Sequence, residues 1–252
     1  MRLRALRRDR AARTEPELFL LDRVFEDCLE RIALIRGRFN RALLIGCPNP
    51  DWPERLRQVA DHVEACDPGP LFAAAAGGEP IIEDAWEPPA QTYDLALAIG
   101  TLDTVNDLPR ALWLIRDAMR SNALFIGAVA GGDTLPRLRS AMRAADAPSG
   151  GVAPHVHPRI EAAALAPLLT EAGFLRPVID VDRLDVSYPS LARLIADLRA
   201  MAATNTLRSR PQALTREQYD AAARAFAGAG DGSRTRELFE ILHFAAWTPS
   251  NG

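Results

Sequence analysis

The chain has 252 residues, 48% hydrophobic and 25% charged, so it can bury one sizeable core within the usual range of a single domain. Its formal net charge of −3 gives no overall reason to expect nucleic-acid binding, and it has no apolar run typical of membrane insertion or of a secretory signal. With neither signal, we expect a cytoplasmic protein. The three cysteines are odd in number and lack metal-ligand spacing, which argues against a disulfide framework or a zinc site and favours reduced thiols.

The first 40 residues predict an N-terminal helical arm. Every basic residue of the chain is an arginine, and six of them fall within residues 1–13. We interpret this cluster as a solvated helix face, with a targeting or docking arm as the alternative. Between Glu17 and Phe39 apolar residues recur at intervals of three and four, which predicts an amphipathic helix that covers the edge or face of the downstream domain.

Residues 41–132 alternate short apolar runs with helical segments, the pattern of a parallel α/β sheet. Strands are predicted at 42–46, 62–66, 80–82, 93–99 and 123–129, and helices at 54–59 and 108–119. Asp107 is a plausible N-cap for the second of these helices. We expect this part to form the cofactor-binding core.

Residues 133–252 complete the domain with substrate-side, lid and C-terminal elements. Helices are predicted at 134–145, 161–172, 191–201 and 216–226, with strands at 177–188 and 238–247. Asp133 and Thr134 are interpreted as the N-cap of the first of these helices. The whole fits an α/β fold with a Rossmann-like, seven-stranded methyltransferase sheet that has helices on both faces and an antiparallel last strand. An ordinary dinucleotide-binding fold is the runner-up, and either fold binds its ligand at the carboxyl ends of the strands.

Several motifs resemble one family. They are Gly131–Leu135 with Leu138–Arg139, Gly150–Gly151, Pro154–His155, Asn106–Leu112 and Ala172–Phe174. These residues resemble class I S-adenosylmethionine (SAM) methyltransferases, close to the mitochondrial complex I assembly factor of arginine-hydroxylase type and its bacterial relatives. The methyltransferases that act on a carrier-bound malonyl ester in biotin synthesis resemble the chain more distantly. The resemblance implies SAM as cofactor and, for the assembly factor, hydroxylation of an arginine in a complex I subunit.

Two acidic residues are candidates for the nucleoside part of SAM. Asp67 ends the second predicted strand, where a carboxylate can accept the ribose hydroxyls, although an Asp-Pro-Gly sequence also forms turns. In the family, an acidic side chain after the third strand lies near the adenine amino group, and Asp84 occupies that position. Ala85 could border the ring. The alternative for Asp84 is a solvated strand end.

Glycines end the first and fourth strands. Gly46 stands at the first position of the family's glycine loop, and Gly100 could leave space for the sulfonium or could simply end a strand. Pro48 and Pro50 replace the other two loop glycines. Because proline fixes φ and has no N–H donor, cofactor binding at this loop is expected to be altered or lost.

His155 is the candidate catalytic residue on the substrate side, as a hydrogen-bonding group or general base. It lies two residues from His157 in a proline-bounded loop, but nearby ligands for a metal ion are missing, so we expect no metal.

Three functions remain open. The first is methyl transfer from SAM to a small-molecule or protein acceptor, with catalysis mainly through positioning. The second is hydroxylation of an arginine in a partner such as a complex I subunit. The third is a non-catalytic assembly protein that keeps the fold but has lost the cofactor, which the two prolines favour.

Overall fold

The fold is built on a sheet of seven strands in the order β3-β2-β1-β4-β5-β7-β6, seen in a computed structural model that describes residues 2–14, 17–35, 37–209 and 213–250. The strands are β1 (Phe39–Ile45), β2 (Ala60–Asp67), β3 (Glu79–Pro80), β4 (Tyr93–Ile99), β5 (Met119–Ala130), β6 (Leu175–Tyr188) and β7 (Thr235–Trp247). The pairings among β1 to β5 are parallel, whereas β7 runs antiparallel between β5 and β6. The predicted methyltransferase-type sheet with an antiparallel last strand is confirmed.

Helices cover both faces of this sheet. They are α1 (Arg2–Arg13), α2 (Phe19–Ala33), α3 (Trp52–Leu56), α4 (Pro70–Ala75), α5 (Leu108–Ala118), α6 (Pro136–Asp146), α7 (Ala162–Glu171), α8 (Leu191–Ala200) and α9 (Arg216–Gly228). One apolar cluster joins the sheet to α5 and α7, and a second joins its opposite face to α2 and α3. A third cluster packs α6, α8 and α9 together.

Most predicted elements are present with ends shifted by a few residues. The helix predicted over 17–39 is wrong at its C-terminal end, because Phe39 already opens β1. Gly37, with a φ of +112°, lies in the left-handed region and breaks the helical path. The arm predicted for residues 1–40 stays a prediction, although Val24 and Phe25 of α2 share a core cluster with β1.

The two N-terminal helices pack in different ways. Along α2 the buried residues are apolar or thiol-bearing: Leu20, Val24, Phe25, Cys28 and Ile32. Along α1, all of whose residues are described, the buried residues are Arg4, Arg8 and Ala11. The solvated-face interpretation of the arginine cluster is therefore wrong for Arg4 and Arg8, while Arg2, Arg10 and Arg13 are exposed.

The N-terminus of α6 is capped from a distant strand. Leu135 holds the N-cap position with a φ of +63° and supplies no side-chain cap. Glu237 of β7 accepts hydrogen bonds from the backbone N–H groups of Arg137 at 3.1 Å and Leu138 at 2.7 Å. The predicted N-cap at Asp133 and Thr134 is therefore wrong, because a buried carboxylate from β7 already satisfies these donors.

Among the described residues, no helix combines the length and the apolar character that crossing a bilayer requires.

The cap predicts that substitutions of two acidic residues change the free energy of unfolding by different amounts. Glu237 has no exposed surface, so Glu237→Ala should lower the free energy of unfolding by about 2 kcal/mol, because buried backbone N–H groups lose their acceptor. Asp133→Ala, at an exposed side chain, should stay within about 0.5 kcal/mol of wild type. Urea denaturation followed by circular dichroism measures both. Equal losses would restore Asp133 as the cap.

Candidate functional site

Two glycines end β1 and β4 side by side at the carboxyl edge of the sheet. Gly46 has a φ of +85° and Gly100 a φ of +65°, conformations that favour glycine. A Cβ atom at Gly46 would lie 2.1 Å from the carbonyl oxygen of Ile99, so close backbone packing also requires a glycine here. A Cβ atom at Gly100 would lie 3.1 Å from Leu21 of α2. Both predicted site glycines thus lie at the point where the strand order reverses.

Asp67 ends β2 beside them, and its carboxylate is fully engaged. Arg8 donates from Nε to Oδ1 at 2.6 Å and from Nη2 to Oδ2 at 2.5 Å. The backbone N–H of Cys47 donates to Oδ2 at 2.8 Å, and that of Gly69 to Oδ1 at 2.7 Å. The remaining Arg8 nitrogen, Nη1, donates to the carbonyl oxygen of Gly100 at 3.0 Å. Asp67 therefore accepts from the N–H of Gly69 as the turn alternative predicts, and its role as a ribose acceptor stays a prediction.

The ionisation of Arg8 is a consequence of these contacts. Burial acts to lower the pKa of its guanidinium, but the charge and hydrogen bonds of Asp67 outweigh burial and raise that pKa above its ordinary value. Arg8 is 3% exposed and Asp67 has no exposed surface, so the pair is shielded from screening by salt. The guanidinium also lies over the ring of Phe72 at 5.2 Å from its centroid.

A second buried ion pair, which the sequence reasoning missed, joins Arg4 to Glu83. Arg4 donates to the two carboxylate oxygens of Glu83 at 2.5 and 2.7 Å. It also donates to the carbonyl oxygen of Thr101 at 2.5 Å and to Oγ1 of Thr104 at 2.9 Å. The available signal was the spacing of Arg4 and Arg8, because residues four apart on a helix share a face and can reach two carboxylates together.

Asp84 lies beside this pair and keeps one acceptor open. Its Oδ2 accepts from the backbone N–H of Asp107 at 3.0 Å, and its carbonyl oxygen accepts from Nε of Arg110 at 2.7 Å. Its other carboxylate oxygen, Oδ1, is buried without a hydrogen-bond partner among the described residues. Ala85 is exposed in the same turn, and Trp86 packs partly buried against the core. The solvated-strand-end alternative for Asp84 is wrong, since the residue is 8% exposed.

The loop after β1 is fixed by α2. Oδ1 of Asp22 accepts from Nδ2 of Asn49 at 2.9 Å and from Nε1 of Trp52 at 2.8 Å. Asn49 lies between Pro48 and Pro50, and Trp52 follows Pro50 by two residues. Hydrogen bonds from Asn49 and Trp52 to Asp22 therefore hold the loop in place, and the two prolines restrict its backbone.

Two cavities lie near these residues, one lined by Gly100 and the other by His155. A small apolar one of about 100 Å³ extends from Gly100 beneath Leu21 to Met201, with the ion pair of Arg159 and Asp103 at its wall. A larger one of about 570 Å³ is bounded by α1, α6, α8 and the loop that carries His155. His155 lines the larger cavity, whereas Asp67 lines neither.

His155 is held by a carboxylate. Its Nε2 lies 2.8 Å from Oδ1 of Asp146, and both side chains are largely buried. Burial acts to raise the pKa of Asp146, yet the backbone N–H of Ala153 and the His155 ring outweigh it and hold that pKa below its ordinary value. Asn205 donates to the carbonyl oxygen of Pro154 and so ties the His155 loop to the segment after α8.

One group among the described residues has the side chains and spacing for a metal ion. It consists of Asp27, Asp182 and His243, whose ligand atoms lie within 4.8 Å of one another. The group lies on α2, β6 and β7 and includes neither His155 nor His157. The metal-free role of His155 stays a prediction.

The sequence matches a known family and named proteins over somewhat less than two thirds of its length. Residues 19–175 match the family described as methyltransferase domain. Over 162 residues the chain is 36% identical to arginine-hydroxylase NDUFAF5, mitochondrial, of Danio rerio, which covers 63% of this chain and 50% of that protein. It is 31% identical over 162 residues to malonyl-[acyl-carrier protein] O-methyltransferase of Xylella fastidiosa (strain M23), a match that covers 64% of this chain and 53% of that protein. The chain spans about half the length of these curated relatives.

A solved structure supports the fold assignment. The N-methyltransferase NodS from Bradyrhizobium japonicum WM9, in complex with S-adenosyl-L-homocysteine, matches with a TM-score of 0.55. The match covers 98% of this chain and 99% of that chain at 13% sequence identity, which shows a shared fold.

The anchored loop predicts the reactivity of Cys47. Burial, with the Asp67 charge adding to it, raises the pKa of Cys47 to about 12, and burial raises that of Cys66 well above its ordinary value. Both thiols should resist iodoacetamide at pH 8 in the native protein. Asp22→Ala removes the acceptor for Asn49 and Trp52, so it should speed labelling of Cys47 by about tenfold. Peptide mass spectrometry measures the rates, with Cys66 as internal control. Equal acceleration at Cys66 would indicate global destabilisation instead of loop opening.

Proposed function

Since the chain belongs to the methyltransferase domain family, we propose that it is a SAM-dependent methyltransferase acting on a small-molecule or protein acceptor. The observation that carries the proposal is the open acceptor at Oδ1 of Asp84. A buried carboxylate oxygen without a partner is costly, and a ligand that donates a hydrogen bond removes the cost. The exocyclic amine of adenine is such a donor.

The other predicted site residues have side chains, and positions at strand ends, that suit the ribose and the remaining parts of the cofactor. Asp67 offers a carboxylate for the ribose hydroxyls at the end of β2. Gly46 and Gly100 have no side chain to obstruct the approach of a ligand to the backbone at the ends of β1 and β4. When bound, SAM supplies an activated methyl group on its sulfonium. In the structure, however, Arg8 occupies the carboxylate of Asp67, so the fit at the ribose position requires Arg8 to move.

The substrate side contributes positioning. His155 lines the larger cavity, and Asp146 orients its ring as a carboxylate orients a general base. His155 would accept the proton that a neutral acceptor loses. Because an activated methyl group needs little acid–base assistance, orientation of the acceptor is the larger contribution.

A second candidate function is hydroxylation of a protein arginine. The observation that favours it is the 36% identity to proteins named arginine-hydroxylase, across several vertebrates. In that case the acceptor is a protein, such as a respiratory complex I subunit. Mass spectrometry of acceptor proteins incubated with the chain separates the candidates, because one methyl group and one oxygen atom add different masses.

The binding test uses Asp84. Asp84→Ala should weaken SAM binding at least tenfold, because a hydrogen bond to a charged group contributes roughly 1.5–3 kcal/mol. Isothermal titration calorimetry on folded protein measures the affinity, and Asp133→Ala, at an exposed acidic residue that lines neither cavity, is the control. An unchanged affinity in Asp84→Ala would remove Asp84 from the site.

A broader outcome decides the function. If SAM binds neither to the wild type nor to a folded variant with Arg4 and Arg8 neutralised, the chain is not a SAM-dependent enzyme. Two interpretations then remain: a non-catalytic protein with the methyltransferase fold, and a protein arginine hydroxylase.

A further inference from the structure

Helix α1 inserts two arginines at the carboxyl ends of the strands, where the proposed cofactor would bind. We call the region between Gly46, Asp67 and Gly100 the cleft. Arg4 and Arg8 lie on one face of the helix, and both are buried. Arg8 bridges Asp67 at the end of β2 and Gly100 at the end of β4, while Arg4 holds Glu83 in the turn after β3. Helix α1 therefore crosses the carboxyl ends of these strands, where sheets of this kind bind their ligands.

The carboxylate of Asp67 cannot accept hydrogen bonds from Arg8 and from a ribose at the same time. A carboxylate has about four lone-pair sites, and Asp67 accepts hydrogen bonds from two Arg8 nitrogens and two backbone N–H groups. The backbone donors, from Cys47 and Gly69, belong to loops at the ends of β1 and β2. A ribose diol can therefore gain acceptor sites on Asp67 only by replacing Arg8.

The backbone of α1 is also close to the sheet edge. A Cβ atom at Gly69 would lie 2.6 Å from Cβ of Arg8. Asp9 accepts a hydrogen bond from the backbone N–H of Leu71 at 3.0 Å, at the start of α4. The helix therefore packs directly on the loop after β2, and a nucleoside at Asp67 would meet its backbone as well as its side chains.

The contacts of α1 are of a kind that a polar ligand can replace. Ala11 is the buried apolar residue of α1, whereas α2 buries a row of large apolar side chains. Buried ion pairs contribute little net stability, because the desolvation of both charges offsets their attraction. Displacing α1 therefore exposes little apolar surface. Its free-energy cost stays small if another ligand satisfies the carboxylates that α1 leaves.

We propose that α1 is an intramolecular competitor of the cofactor, so that SAM binds to Asp67 only when Arg8 withdraws and α1 leaves the cleft. This inference rests on the proposed function. Leu3, Leu6, Arg7 and Arg10 of α1 line the larger cavity that contains His155. Release of α1 thus opens the acceptor side as well.

Paired substitutions in the full chain test the competition. Arg4→Gln/Arg8→Gln removes both charges from the cleft, and glutamine has a helix propensity close to that of arginine. Arg2→Gln/Arg13→Gln makes the same charge change at exposed positions of the same helix. The first variant should bind SAM at least tenfold more tightly than wild type in calorimetry, because the competent state is no longer rare, and the control should bind like wild type.

Hydrogen exchange of the wild type tests displacement without any substitution. With saturating SAM, amide exchange across residues 2–13 should rise severalfold, while exchange in α2 should not. Unchanged or stronger protection of α1 in the SAM complex would overturn the proposal, as would equal SAM affinities of wild type and a folded Arg4→Gln/Arg8→Gln protein. Those outcomes leave the methyltransferase proposal standing, whereas absence of SAM binding in all three proteins contradicts the methyltransferase proposal itself.

Discussion

Asp67 ends β2 with no exposed surface, so its carboxylate must find all of its hydrogen-bond donors inside the protein. It finds them in the loop after β1, in the turn after β2 and in α1. The geometry of the cleft depends on this one group, because three segments that are distant in the sequence meet at it. Whatever binds at the cleft must either use Asp67 or leave Arg8 in place.

The two N-terminal helices therefore have different physical roles. Helix α2 is part of the core, since its apolar side chains pack against β1 and β4, and through Asp22 it fixes the loop after β1. Helix α1 is attached mainly through charge, at the edge where a ligand is expected. It also forms one wall of the larger cavity, so a single segment joins the cleft at Asp67 to the cavity that His155 lines. A protein with this arrangement can couple the filling of one cleft to the opening of the other.

The sequence by itself determined the fold class. Apolar runs closed by glycine or an acidic residue, alternating with helical periodicity, define parallel strands and crossover helices locally. The same reasoning pointed to Asp67 and Gly100, because in such a sheet ligand residues lie just after the strand ends. The resemblance to the family pointed to Gly46 and Asp84. Their role as cofactor ligands, the catalytic role of His155 and the cytoplasmic location stay predictions.

Only the tertiary structure decided how the charged residues are paired. Arg8 and Asp67 are 59 residues apart in the chain, and Arg4 and Glu83 are 79 apart. An arginine on a helix looks the same in sequence whether its guanidinium faces water or a buried carboxylate, since periodicity shows which residues share a face but not what that face meets. The cap of α6 by Glu237 was hidden for the same reason. Local patterns specify elements, whereas the partner of a polar group depends on which distant segments the fold brings together.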